Sequence, residues 1–153
     1  PEKTVEISEI GTDDLRLRGI PVAHRRFFET SWFGRYGEDK VIAEPEGYVA
    51  PPLDGIWASA PYLHNGSVPT LWHLLHPAER PVVWLRTEDG YDVQRVGLEV
   101  SPVADLPKMA RKGEFKRAYF DTRIAGKSAK GHLFPEELSE DERRAVLEYL
   151  KTL

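Results

Sequence analysis

The stretch Asp54 to Leu75, DGIWASAPYLHNGSVPTLWHLL, constrains this chain more than any other part of it. Asn65-Gly66 favours a turn, because both residue types tolerate positive φ. Ser67 is placed to cap a helix, and Pro69 suits an early helical position, where a missing N–H costs nothing. Leu71, Leu74 and Leu75 then supply a short apolar face. A turn feeding a capped helix explains those residues. It explains neither His64, set between Leu63 and Asn65, nor Pro61-Tyr62 before it. That surplus makes His64 the first candidate for chemistry.

The rest of the chain sets the frame around this motif. With 153 residues the natural reading is one domain. The net charge of −4 gives no global signal for nucleic acid. There is no apolar run of about eighteen residues, so no membrane span is expected. Residues 1–20 are polar and charged and do not read as a signal peptide. The chain opens on Pro1 rather than Met, which reads as a piece of a longer protein. It has no cysteine, which excludes disulfides, thiolate metal sites, a cysteine nucleophile and thioether attachment of a cofactor. Twelve prolines predict a loop-rich fold.

Taken in order, residues 1–10 read as an extended lead-in. Gly11-Thr12-Asp13-Asp14 is a helix start, with Thr12 or Asp13 as cap, for a helix ending near Gly19. A second helix is expected from Pro21 to about Ser31, offering Val22, Phe27 and Phe28 to the core. Trp32, Phe33 and Tyr36 continue that aromatic cluster. Residues 38–53 look extended, since Pro45, Pro51 and Pro52 exclude a helix. The central helix should end at His76-Pro77, followed by a turn at Glu79-Arg80-Pro81. Residues 82–86 are the best strand, with a turn at Asp89-Gly90 and a partner strand within Tyr91 to Val100. Ser139 and Glu142 form a capping box for a last helix, whose stripe is Val146, Leu147, Leu150 and Leu153. The fold class expected is mainly α, with long loops and a small β-hairpin.

Many standard sites are absent, including phosphate-cradling glycine loops, GxSxG elbows and HExxH pairs. The five histidines are the useful inventory. His24 lies beside Arg25 and Arg26 and reads as a surface residue. His73 and His76, three apart, could reach one metal with a third ligand from elsewhere, and a small histidine metal site using His64, His73 or His76 is a weaker alternative, but a solvated helix face is the favoured reading for His73 and His76. His64 and His132 sit among glycine turns and apolar residues, which suggests that they point inward. A buried histidine needs a hydrogen-bond partner or a metal, and a satisfied structural histidine is the plain alternative. The basic stretch 105–130 reads as a solvated face before it reads as a docking patch. Met109, the only methionine, is a thioether among cations and ranks below the histidines.

Pro61-Tyr62-Leu63-His64-Asn65-Gly66-Ser67-Val68-Pro69-Thr70-Leu71 resembles a motif of bacterial c-type cytochrome domains, those of the di-haem cytochrome c peroxidases, their methylamine-utilisation relatives and the rubber oxygenases. Gly47 to Trp57, Phe120-Asp121-Thr122, Gly131-His132 and the final helix look similar to the rubber-oxygenase-like branch. The resemblance implies a single cytochrome c-like domain over 1–153, the C-terminal portion of a longer protein. It implies haem c as cofactor, yet the CxxCH attachment motif is missing here. It implies His132 as an axial metal ligand, His64 as an active-site group, and Tyr62, Asn65 and Trp57 beside the cofactor. A redox partner or an upstream haem-binding segment, no nucleic acid, and a periplasmic or extracellular location follow from it. So does electron transfer or peroxide or dioxygen chemistry. A haem-free structural or interaction domain on the same scaffold is the alternative that the missing cysteines raise.

Overall fold

The computed structural model describes residues 4–32, 34, 46–111 and 115–153. Strands β1 (Thr4–Glu6) and β2 (Gly47–Val49) pair antiparallel, with Val5 opposite Tyr48. Gly47 permits this approach, because a Cβ there would lie 1.8 Å from the Val5 carbonyl oxygen. After β1 come three helices, α1 (Ile7–Ile10), α2 (Leu15–Arg18) and α3 (Val22–Thr30). The lead-in is thus strand and then helix, not extended throughout. Val22, Phe27 and Phe28 do not reach the core: α3 buries no residue and Phe27 is 66% exposed. The apolar core lies elsewhere, so the amphipathic pattern of α3 meets no buried cluster. Trp32 is also exposed. Phe33, Tyr36 and residues 38–45 lie outside the described residues.

The core is built on the central motif. Tyr62 and Val68 exchange backbone hydrogen bonds of 2.7 and 3.3 Å across a tight turn. Leu63 and Gly66 hold the turn with φ of 61° and 70°. Helix α4 (Leu71–Leu75) then begins three residues later than a Ser67 cap would place it. Thr70, not Ser67, caps it, accepting from the His73 amide at 3.2 Å. The free N–H groups of its first turn are met from another quarter: Leu71 and Trp72 donate to the carbonyls of Val96 and Arg95. A five-residue helix is marginal alone; this one is completed by a hairpin tip.

That hairpin is β3 (Val83–Asp92) with β4 (Gly97–Pro102). Its turn falls between Asp92 and Gly97, while the expected turn at Asp89-Gly90 sits in an irregular stretch of the ladder between Arg86 and Tyr91. Asp92 explains the shift, since its carboxylate accepts from the amides of Gln94 and Arg95. Helix α5 (Phe115–Ala118) leads into β5 (Tyr119–Asp121), which joins the other edge of β3 and gives the order β4-β3-β5. Trp84 stacks on the opposing Phe120 at 5.0 Å and donates to the Ser67 carbonyl at 3.4 Å. The sheet is thereby anchored to the central turn.

Helix α6 (Glu140–Leu150) closes the core, with Tyr62, Val68, Leu71, Leu75, Val96, Leu147 and Leu150 as its buried cluster. The capping box forms as expected. Ser139→Ala should cost about 1 kcal/mol, read as a lower midpoint in chemical denaturation with an unchanged slope. The expectation of a mainly α fold is overturned. Among the described residues there are two antiparallel sheets, and most helices are a single turn. Period-2 signals in β1, β2 and β5 are only three residues long, too short to stand out in the sequence. No helix among the described residues is long and apolar enough to cross a membrane.

Candidate functional site

Three segments converge around His64 and His132. The first is the central turn, the second is the loop between α1 and α2, and the third is the stretch from Gly126 to His132. Asn65 Nδ2 and Ser67 Oγ both donate to the Ser128 carbonyl, at 2.9 and 3.1 Å. Asp13 accepts from the Gly126 amide at 3.0 Å. The His132 amide donates to the Ile10 carbonyl at 2.8 Å. Gly131 is pressed so closely on the α1–α2 loop that a Cβ would lie 2.5 Å from both Gly11 C and Thr12 N.

His64 is fixed on one side by Tyr48, whose ring stacks on its imidazole at 4.8 Å and 18°. Arg16 donates to the His64 carbonyl at 2.7 Å. Burial pushes the His64 pKa down, against the partial opposition of Asp13. His132 stands at φ 53°, edge-on to Phe134 at 6.0 Å. Burial lowers its pKa as well, helped by the charge of Arg80. Both imidazoles are therefore held in the neutral form, with a lone pair available.

Three buried side-chain polar atoms among the described residues lack a hydrogen-bond partner: Thr12 Oγ1, His64 Nε2 and His132 Nδ1. All three belong to the converging segments. Buried polar atoms are ordinarily satisfied, and each exception asks for an explanation. Alongside, an open cavity of about 1220 Å³ runs past Gly11, Asp13, Arg80, Ser128, Gly131 and Phe134. It is walled by the same loops but not by the two imidazoles.

The other expected site residues are placed as follows. Tyr62 is a core residue, 5% exposed, donating to the carbonyls of Ile56 and Val96. Asn65 spends its amide on Ser128 and its oxygen on the Ser67 amide. Trp57 is exposed in a 3₁₀ turn, its carbonyl taken by the Tyr91 hydroxyl. His73 and His76 are not on a solvated face, being 5% and 4% exposed. His73 Nδ1 lies 2.7 Å from Thr70 Oγ1, and His76 bonds to the Trp72 carbonyl and to Glu140. Among the described residues no group of three or more His, Cys, Asp or Glu side chains could hold a metal ion. His24 is exposed. The side chain of Met109 lies outside the described residues. In the basic stretch, Arg123 pairs with Asp121 and Asp105, and Lys127 lies over the Phe120 ring.

Sequence reasoning missed Thr12, Tyr48 and Arg80 as members of this region. Thr12 carried the signal of a helix cap. Tyr48 is placed by strand pairing with β1, which the sequence does not announce. Nothing local distinguishes Arg80 from an ordinary turn arginine.

Residues 47–85 match the RoxA-like, cytochrome c-like family. The matched stretch contains Tyr48, the His64 turn, α4 and Arg80. The cytochrome c-like match agrees with the coarse expectation of a haem-associated redox domain. An uncharacterized protein of Sinorhizobium fredii (strain NBRC 101917 / NGR234), y4iM, is 43% identical over 100 residues, covering 63% of this chain and 23% of that protein. A second from the same organism, y4iJ, is 43% identical over 123 residues, covering 73% of this chain and 19% of its own length. The chain thus spans about a fifth of the length of these curated relatives.

Proposed function

We propose that this chain is the C-terminal portion of a c-type cytochrome domain of the di-haem peroxidase or rubber-oxygenase kind, and that its His64–His132 region faces haem. One observation carries the reading: His64, within the cytochrome c-like segment, and His132, on the loop packed against it, each have a buried ring nitrogen lacking a partner. The donor set fits the group, because a neutral imidazole is a common axial ligand of haem iron. In this reading His132 would hold the haem iron through a ring nitrogen. His64 is an active-site group oriented by the Tyr48 ring, and the Thr12 hydroxyl offers a hydrogen bond nearby. Bound haem supplies a redox-active iron for electron transfer or for peroxide or dioxygen chemistry.

The chain has no cysteine, so it makes no thioether bond to haem itself. A haem-binding segment upstream in a longer protein would supply that attachment. The domain would then work in the periplasm or outside the cell, with a redox partner protein. The missing cysteines also support a second reading, a haem-free interaction domain on the same scaffold. Titrating the purified chain with haemin separates the two. The first reading expects a Soret band saturating at one haem per chain, and the second expects no saturable band.

A further inference from the structure

We infer that Arg80 positions His132, an assignment that rests on the reading of His132 as the haem-facing ligand. Arg80 is half-buried, and burial lowers its pKa. A buried guanidinium ordinarily faces a carboxylate. This one spends every N–H on backbone carbonyls. Nε donates to His73 at 3.0 Å, and one terminal nitrogen donates to Ala129 and Gly131, each at 2.7 Å. The other terminal nitrogen donates to Leu74 at 3.2 Å and His132 at 3.3 Å. Arginine has five N–H donors, and here five carbonyls take them.

The five acceptors fall into two groups. The carbonyls of His73 and Leu74 end α4, where no intrahelical donor remains and a cation is favoured. Those of Ala129, Gly131 and His132 belong to the loop that carries the candidate ligand. Arg80 therefore staples that loop to the C-terminal end of α4. The loop needs the staple, because Gly131 and His132 stand in succession at φ 83° and 53°. Side-chain-bearing residues rarely adopt that conformation, and it persists only where the surroundings impose it. The Ile10 carbonyl grips the His132 amide from the opposite side. With its backbone held from both sides, His132 has a fixed Cα–Cβ direction from which its imidazole departs. A lysine ammonium is a single point of charge and cannot span five carbonyls.

The test begins on the wild-type chain, with NMR couplings across the hydrogen bonds from the Arg80 guanidinium to the carbonyl carbons of Gly131 and His132. Arg80→Lys is then compared with Arg123→Gln, which alters another arginine of the same cavity wall. We expect the couplings to be present and the His132 amide to exchange at least tenfold faster in Arg80→Lys. We also expect the imidazole coupling to haem iron to be lost there, with both readouts unchanged in Arg123→Gln. A folded Arg80→Lys with His132 exchange and iron coupling as in wild type overturns the assignment. If Arg80→Lys does not fold, the wild-type couplings decide: their presence supports the staple and their absence overturns it. If the wild-type chain takes up no haem, the haem reading fails, while amide exchange at His132 still decides the positioning role.

Discussion

The domain is expected to lose stability steeply as the pH falls from 6.5 to about 4. The main cause is His73, whose pKa burial pushes down to about 4, with Arg95 acting in the same direction. Its unfolded value is near 6.5, so in this window the unfolded chain binds the extra proton and acid favours unfolding. The contribution is complete above pH 6.5 and is lost as the pH falls towards 4. At about 1.4 kcal/mol per pKa unit, His73 alone accounts for about 3 kcal/mol, a large share of an ordinary domain's stability. The geometry agrees: Thr70 Oγ1 accepts from the His73 amide and so turns its own proton towards Nδ1. His64 and His132, also depressed by burial, add in the same sense. The lowered carboxylates Asp121 and Asp105 act only below that window. Urea unfolding at pH 7, 5.5 and 4.5 checks this. His73→Asn, which keeps an acceptor near Nδ1, should flatten the profile. A wild-type profile already flat across the window would rule the account out.

The second large effect concerns the site. His132→Ala is expected to weaken haem binding by more than about 100-fold, since even partners outside the first coordination shell contribute about 10–100-fold. His64→Ala should cost roughly tenfold, because this residue is proposed to flank the cofactor without binding the iron. His24→Ala, on an exposed helix, should change nothing. Thermal unfolding of the haem-free variants should stay close to wild type, as His132 Nδ1 has no hydrogen bond to lose. Equal affinities for all four proteins would remove His132 from the site.

The sequence revealed the parts whose signals are local. The Asn65-Gly66 turn, the end of α4 and the capping box of α6 each rest on neighbours within a few residues, and each is where the pattern places it. The start of α4 moved because Thr70 competes with Ser67 for the cap, and Ser67 is drawn away by the Ser128 carbonyl. The hairpin turn moved because Asp92 builds a better turn than Asp89-Gly90. The mainly α expectation failed on strands of three residues, whose pairing is decided by partners more than thirty residues away. In the site, His64 and His132 were legible because neither served an obvious helix or strand. Arg80 was not, since its role exists only once α4 and the loop at 129–132 are folded against it.

The central claim is that His132 presents a nitrogen to haem iron. Pulsed EPR of the ferric haem complex, prepared with ¹⁵N-labelled histidine, tests it most directly. The account predicts an imidazole ¹⁵N coupling to iron in the wild-type chain and in His24→Ala, and its loss in His132→Ala. The same coupling in His132→Ala as in wild type would contradict it.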